Sequence, residues 1–208
     1  MFPIPELIIG KASDIEWVYP HAVNAIDVEK GNTTVYTTGA GVALNNVDRP
    51  LYSKLWQARF DDSAHRSIWL NEAATPSQKT LIVDTNQQNA VALSLAFSTR
   101  MAPCAAWWDR AARVDIYWYN DRTRKYQSSA VKGEYPILLQ SDIENMFYGH
   151  SFLVLLCLIE GRLHYYHEMD NFTKPVLVLP DTSWYCLQKA GMATGRRLGI
   201  VGEVYEYS

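Results

Sequence analysis

The strongest constraint on the fold is the spacing of apolar residues in short runs. Arg113 to Tyr119 (RVDIYWY) alternates throughout: Val114, Ile116 and Trp118 fall on one face, and Arg113, Asp115, Tyr117 and Tyr119 on the other. A two-residue period belongs to a half-buried antiparallel strand, because successive side chains on an extended chain point opposite ways. The polar stretch Asn120 to Lys125 (NDRTRK) then reads as a turn, and Tyr126 to Val131 (YQSSAV) returns as the second arm of a hairpin.

Similar runs recur along the chain, separated by Gly, Pro, Asn, Asp and Ser clusters. Asn32 to Thr38 (NTTVYTT) has the residue types of an exposed strand, which Gly39 and Gly41 are expected to break. Ser67 to Asn71 (SIWLN) and Thr80 to Asp84 (TLIVD) predict core strands around AATPSQ, where Pro76 interrupts pairing. Asn89 to Phe97 (NAVALSLAF) fits helix or strand by pattern and is read as a strand. Ser151 to Glu160 (SFLVLLCLIE) is nearly continuous apolar, so it is either a strand buried on both faces or a short core helix. Leu163 to Met169, Pro175 to Leu179, Ser183 to Gln188 and Leu198 to Tyr207 supply further strands, and Ser141 to Tyr148 is the one helix-friendly stretch, with Ser141 and Glu144 at capping-box spacing. The pattern predicts an all-β chain: a two-sheet antiparallel β-sandwich or jelly roll with few short helices.

At 208 residues and 48% hydrophobic, the chain can bury one substantial core, expected over residues 36–208, with residues 1–35 as an N-terminal arm or edge segment. A net charge of -3 lacks the basic excess needed to neutralise phosphates, so nucleic acid is not an expected partner. Phe152 to Ile159, the longest apolar stretch, is too short for a membrane helix, and Met1 to Gly10 has no basic region of a signal peptide. A soluble protein made in a cytoplasm is expected, with no membrane partner. Cys104, Cys157 and Cys186 form no CxxC pair and sit in apolar or aromatic surroundings; one disulfide is possible, but buried free thiols are the favoured reading.

The tested motifs do not support catalysis. His164 and His167 precede Glu168 as HxxHE, whose odd spacing in a strand sends the imidazoles to opposite faces, so no metal site is expected. Gly149-His150-Ser151 begins like a nucleophile elbow, yet Leu153 replaces the second glycine that the strained turn requires. Gly191 to Arg197 lacks P-loop spacing, and the scattered carboxylates define no cleft pair. The chain is expected to be no enzyme and to use no cofactor. Its seven tryptophans and thirteen tyrosines are more informative, because aromatic rings at a surface anchor interfaces or stack on sugars. Most are expected in the core. Trp17, Trp107 and Trp108 are the interface candidates, the Trp107-Trp108 pair foremost, since adjacent residues in an extended segment point to opposite faces.

Four segments carry a family resemblance. They are Ala43 to Trp56 (ALNNVDRPLYSKLW), Lys79 to Thr85 (KTLIVDT), the strand pair Ala90 to Phe97 and Ala112 to Tyr119, and the closing pair Ser183 to Gln188 and Arg197 to Tyr205 (RLGIVGEVY). In order and spacing they resemble the galactose-binding-like (discoidin-type) jelly roll that recurs in phage structural proteins. Asn86 departs from the pattern, standing where a glycine is usual. The resemblance implies a virion structural protein of a tail, collar or baseplate, assembled in the host cytoplasm. Other virion proteins and copies of itself would then be its partners, in a homo-oligomer or ring. The alternative is a carbohydrate-binding module or lectin that recognises host-surface glycans. No ligand-binding residue carries over from the resemblance.

Overall fold

In the computed structural model the described residues are 7–9, 24–27, 36–43, 52–60, 67–72, 77–85, 90, 92–98, 102–141, 152–193 and 197–204. The strands are β1 (Leu7–Ile9), β2 (Asn24–Asp27), β3 (Tyr36–Ala43), β4 (Tyr52–Phe60), β5 (Ser67–Glu72), β6 (Lys79–Asp84), β7 (Ala92–Phe97) and β8 (Pro103–Trp108). They continue as β9 (Arg113–Asn120), β10 (Lys125–Lys132), β11 (Glu134–Gln140), β12 (Leu153–Ile159), β13 (Arg162–His167), β14 (Val176–Leu177), β15 (Trp184–Ala193) and β16 (Arg197–Val204). A 3-10 turn at Glu168–Asp170 is the one helical element among the described residues. The all-β antiparallel sandwich expected from the pattern is therefore present, built from three sheets instead of two.

A large sheet has eight strands in the order β1-β16-β15-β2-β3-β4-β5-β6; the second has β10-β9-β8-β7 and the third β11-β12-β13-β14. Among the described residues all pairings are antiparallel except β1 with β16, where Leu7 lies opposite Leu198. Residues 1–35 thus contribute β1 at one edge of the large sheet and β2 between β15 and β3. Expected strand breaks at Gly39 and Gly41 do not occur. β3 runs through both, which pair in register with Trp56 and Lys54, so the ladder to β4 holds the weak strand-formers in place.

The third layer comes from how the cores are shared. Ala106, Ile116, Trp118, Leu138, Leu155 and Tyr166 fill the space between the second and third sheets. Phe60, Ile68, Leu70, Leu93, Leu95 and Trp107 pack β4 to β6 of the large sheet on the other face of the second. Ile137, Leu156, Leu158, Leu163, Trp184 and Ile200 pack β15 and β16 on the other face of the third. Every residue of β7 is buried, as are all but the first of β8 and all but the last of β12. This is why 153–159 reads as a continuous apolar run and 92–97 as one broken only by Ser94: neither strand has a wet face to carry alternation. β9 keeps one, and its burial alternates as its sequence does.

Two joints hold the layers together. β7 and β11 are neighbouring edges of different sheets, and the buried Ser94 hydroxyl accepts a 2.8 Å hydrogen bond from Leu138 N. An edge N–H that would otherwise be stranded in the core is thereby satisfied. The second joint is Gly133, the single residue between β10 in the second sheet and β11 in the third. Its φ is 154°, and a Cβ there would lie 2.6 Å from Cys157 Sγ. Gly133 N donates to Ala112 O, while Lys132 O accepts from Tyr166 Oη at 3.0 Å. A register shift between Glu134 and Ile137 completes the corner, and Tyr135 takes φ 52°. Bulges and bends are how strands change sheets. Gly133→Ala should lower unfolding free energy in urea by on the order of 2–4 kcal/mol, and a change near zero would show that the corner tolerates a side chain.

Candidate functional site

Of the three interface tryptophans, Trp17 lies outside the described residues. Trp107 and Trp108 are each 7% exposed, so neither presents a ring to a partner. Their opposed directions are as expected, but β8 has a packed layer on both sides. Trp107 enters the core against the large sheet and Trp108 the core against the third, where its Nε1 donates to Ala111 O. His164 and His167 sit on β13, with His164 Nδ1 2.9 Å from Arg162 O and His167 Nε2 3.6 Å from Asp170 Oδ2. Among the described residues no three His, Cys, Asp or Glu side chains group to hold a metal ion. His150 and Ser151 lie outside them. Cys104 and Cys157 are buried free thiols, and burial pushes both far above the ordinary thiol range.

Among the described residues the aromatic side chains most exposed to solvent are two tyrosines, Tyr126 and Tyr185. The first lies in the β9–β10 hairpin, whose turn is set by Asn120: its Oδ1 accepts from Arg122 N and Thr123 N at 3.0 Å each, and Arg124 closes the turn at φ 56°. β10 pairs with β9 without a bulge from Lys125↔Asn120 to Lys132↔Arg113 and is, among the described residues, the last strand of the second sheet. Tyr117 and Tyr126 stack on its outer face, centroids 4.7 Å apart and planes within 2°, and Tyr119 meets Tyr126 edge-on at 5.2 Å. Tyr126 remains 39% exposed. Burial, with Cys104 and the neighbouring phenols, pushes Tyr126 well above the ordinary range and raises Tyr117, so these hydroxyls stay neutral.

A further tyrosine lies at the corner after Gly133, where all three sheets meet. Tyr135 packs on Trp108 with centroids 4.7 Å apart and touches two of the cores. Positive φ is rare for a bulky side chain and disfavoured again before proline, here Pro136, so this backbone stores on the order of 1–3 kcal/mol. Burial raises the Tyr135 phenol, Cys186, Tyr185 and Glu134 add to the rise, and the Arg110 guanidinium opposes it. Tyr185, at the start of β15, is 58% exposed.

A second titratable group lies at the end of the third sheet. Glu168, in the 3-10 turn after β13, accepts from Leu153 N at 3.0 Å. Burial pushes its carboxyl up to about 7, and Asp121 of the β9–β10 turn adds to the rise.

No model of a protein family matches the chain, and no curated protein matches it in sequence.

Sequence pattern missed Tyr135 and Tyr185 because neither carries a local mark of exposure. A partial signal exists in Gly133-Glu134-Tyr135-Pro136, where turn residues bracket an aromatic residue between two strands. Glu168 was visible only as the tail of HxxHE; its burial depends on β12 and on a turn in another sheet. Because its folded pKa lies above the ordinary value of 4.5, ionisation is disfavoured in the fold. The protein is therefore favoured below about pH 4.5 and loses that contribution as pH rises through about 7. Glu168→Gln keeps an acceptor for Leu153 N and removes the charge. It should raise stability at pH 8 by on the order of 1–2 kcal/mol and change little at pH 5; equal effects at both pH values would contradict the assignment.

Proposed function

We propose that this chain is a virion structural protein of a phage tail, collar or baseplate, working by contact and not by catalysis, as a homo-oligomer beside other virion proteins. The observation that carries the reading is the β9–β10 hairpin. β10 offers an eight-residue edge without a bulge, and Tyr117, Tyr119 and Tyr126 cluster on its outer face. Unpaired backbone groups on such an edge can accept another chain, and tyrosine buries large area at small entropic cost. Lys125 and Lys132 close the two ends of the strand, a charge placement that restrains indiscriminate pairing and leaves room for a chosen partner. The sequence likeness to the galactose-binding-like jelly roll supports the same reading, and the proposal includes assembly in the host cytoplasm and residence in the virion.

A second reading, recognition of host-surface glycans, is favoured by a separate observation: Tyr185 at the start of β15 is 58% exposed.

Mass spectrometry of purified particles from the encoding phage should find the chain in several copies. Tyr126→Lys should leave the melting temperature nearly unchanged and lower incorporation at least about tenfold, the cost of losing one aromatic anchor. Particles that lack the chain would end the proposal.

A further inference from the structure

Resting on the homo-oligomer in the proposed function, we propose that β10 pairs antiparallel with β10 of a second copy about a twofold axis at Ser129, joining two four-stranded sheets into one. The choice of edge comes first. Among the described residues the sheets end on β1 and β6, on β10 and β7, and on β11 and β14. β7 and β11 face one another inside the molecule, where Ser94 Oγ accepts from Leu138 N. β1 has three residues and β14 two, and a register shift between Ile68 and Trp69 interrupts the pairing that carries β6. Short and bulged strands are poor templates for another chain. Among these edges β10 alone combines eight residues with an unbroken register, and its Lys125, Tyr126, Ser128, Ala130 and Lys132 are exposed.

Hydrogen-bond parity decides which backbone groups of β10 face outward. Tyr119 N donates to Cys104 Sγ of β8 at 3.3 Å, so the odd-numbered residues of β9 face β8 and the even-numbered ones face β10. The partners of those even-numbered residues are Lys125, Gln127, Ser129 and Val131, and Gly133 N, donating to Ala112 O, continues the series. The N–H and C=O groups of Tyr126, Ser128, Ala130 and Lys132 therefore point away from β9. Tyr166 Oη donates to Lys132 O and closes the row at that end.

Antiparallel strands set outward groups opposite outward groups, so a twofold axis between two copies of β10 passes through a residue and not between residues. An axis at Ser128 would set Lys132 opposite Arg124 of the second copy, a like-charge pair. An axis at Ala130 would carry Tyr126 past Gly133 and off the end of the partner strand. An axis at Ser129 avoids both: Tyr126 lies opposite Lys132 of the second copy, and Ser128 exchanges backbone bonds with Ala130 of the second copy. The side chains suit this register. The Tyr126 ring is already held by Tyr117 and Tyr119, so the ammonium of the second copy meets a fixed phenol ring in a cation–π contact. Lys132 Nζ otherwise lies 2.6 Å from Glu160 Oε1, and both side chains are exposed, so leaving that pair costs little. Ser128 and Ala130 are small, and the two backbones can approach between the Tyr–Lys pairs.

The test follows the mass of the full chain by light scattering and sedimentation velocity over a micromolar concentration series. Wild type should associate reversibly as a dimer. Ser128→Pro removes an outward N–H and leaves the ladder to β9 intact, so it should weaken association at least about tenfold with the melting temperature nearly unchanged. Tyr126→Lys should weaken it by a similar factor, because it sets like charges opposite one another at both symmetric positions. Adding Lys132→Glu to Tyr126→Lys makes those pairs opposite in charge and should restore association, a recovery that a local effect of either change cannot produce. A wild type that stays monomeric overturns the pairing, and finding the chain in particles would still keep the virion reading. A dimer that none of these variants weakens overturns it too, since association then uses another surface. Weakening by Tyr126→Lys without recovery in the double variant overturns the register at Ser129. A dimer with the expected variant pattern, absent from particles, supports the pairing and ends the virion reading alone.

Discussion

β7, β8 and β12 have no face left for water, and the rest of the molecule is arranged around that condition. A strand with cores on both sides cannot hold a charge, and any polar group it carries has to find a partner inside. β7 carries one, Ser94, and its hydroxyl takes the N–H of Leu138 from the neighbouring edge of another sheet. Two edges that would each be a stranded row of backbone groups thus settle against one another. The large sheet supplies the outer layers, with β4 to β6 covering the second sheet and β15 and β16 covering the third. Much of the chain's apolar content is used in these interior layers. Among the described residues the rings most exposed to solvent are tyrosines, side chains that tolerate both water and apolar neighbours.

The chain's passage from the second sheet to the third follows from the same packing. Space at the corner is so limited that a single glycine makes the crossing, with Cys157 Sγ where a side chain would have to stand. The bulge that follows re-aims β11 across the second sheet toward β7, and it leaves Tyr135 in a conformation that tyrosine seldom takes. The residues that turn the chain thereby also set the Tyr135 ring on Trp108. The hairpin at the other surface has a different origin. Its regular register and Asn120-capped turn are local features, and of its tyrosines Tyr117 still touches the core under the large sheet while Tyr126 is 39% exposed.

How much of this could be read from sequence depends on how far away each cause lies. The β9–β10 hairpin was legible because alternation and turn chemistry are local, and both arms fall where the pattern puts them. The strand nature of 92–97 was legible, while 153–159 stayed open between strand and helix, since a run buried on both faces loses the period that separates the two. The number of sheets was not legible, and that single gap misplaced Trp107 and Trp108. Pointing them apart was correct for an extended chain, but a third layer receives the ring that two sheets would have left exposed. Gly39 and Gly41 misled for a related reason, because pairing with β4 overrides what two glycines prefer alone. The raised pKa of Glu168 and the exposure of Tyr185 depend on segments distant in sequence, and no window around either residue contains the cause.

Double-sided burial of the inner strands is the central claim, and native-state hydrogen exchange resolved by residue reads it directly. Amides of β7, β8 and β12 should exchange only through global unfolding, at one common free energy, while β10, β6 and β14 open at lower cost from their free edges. Amides of β8 that exchange as fast as those of β10 would contradict it, since a strand enclosed between two cores has no local route to water.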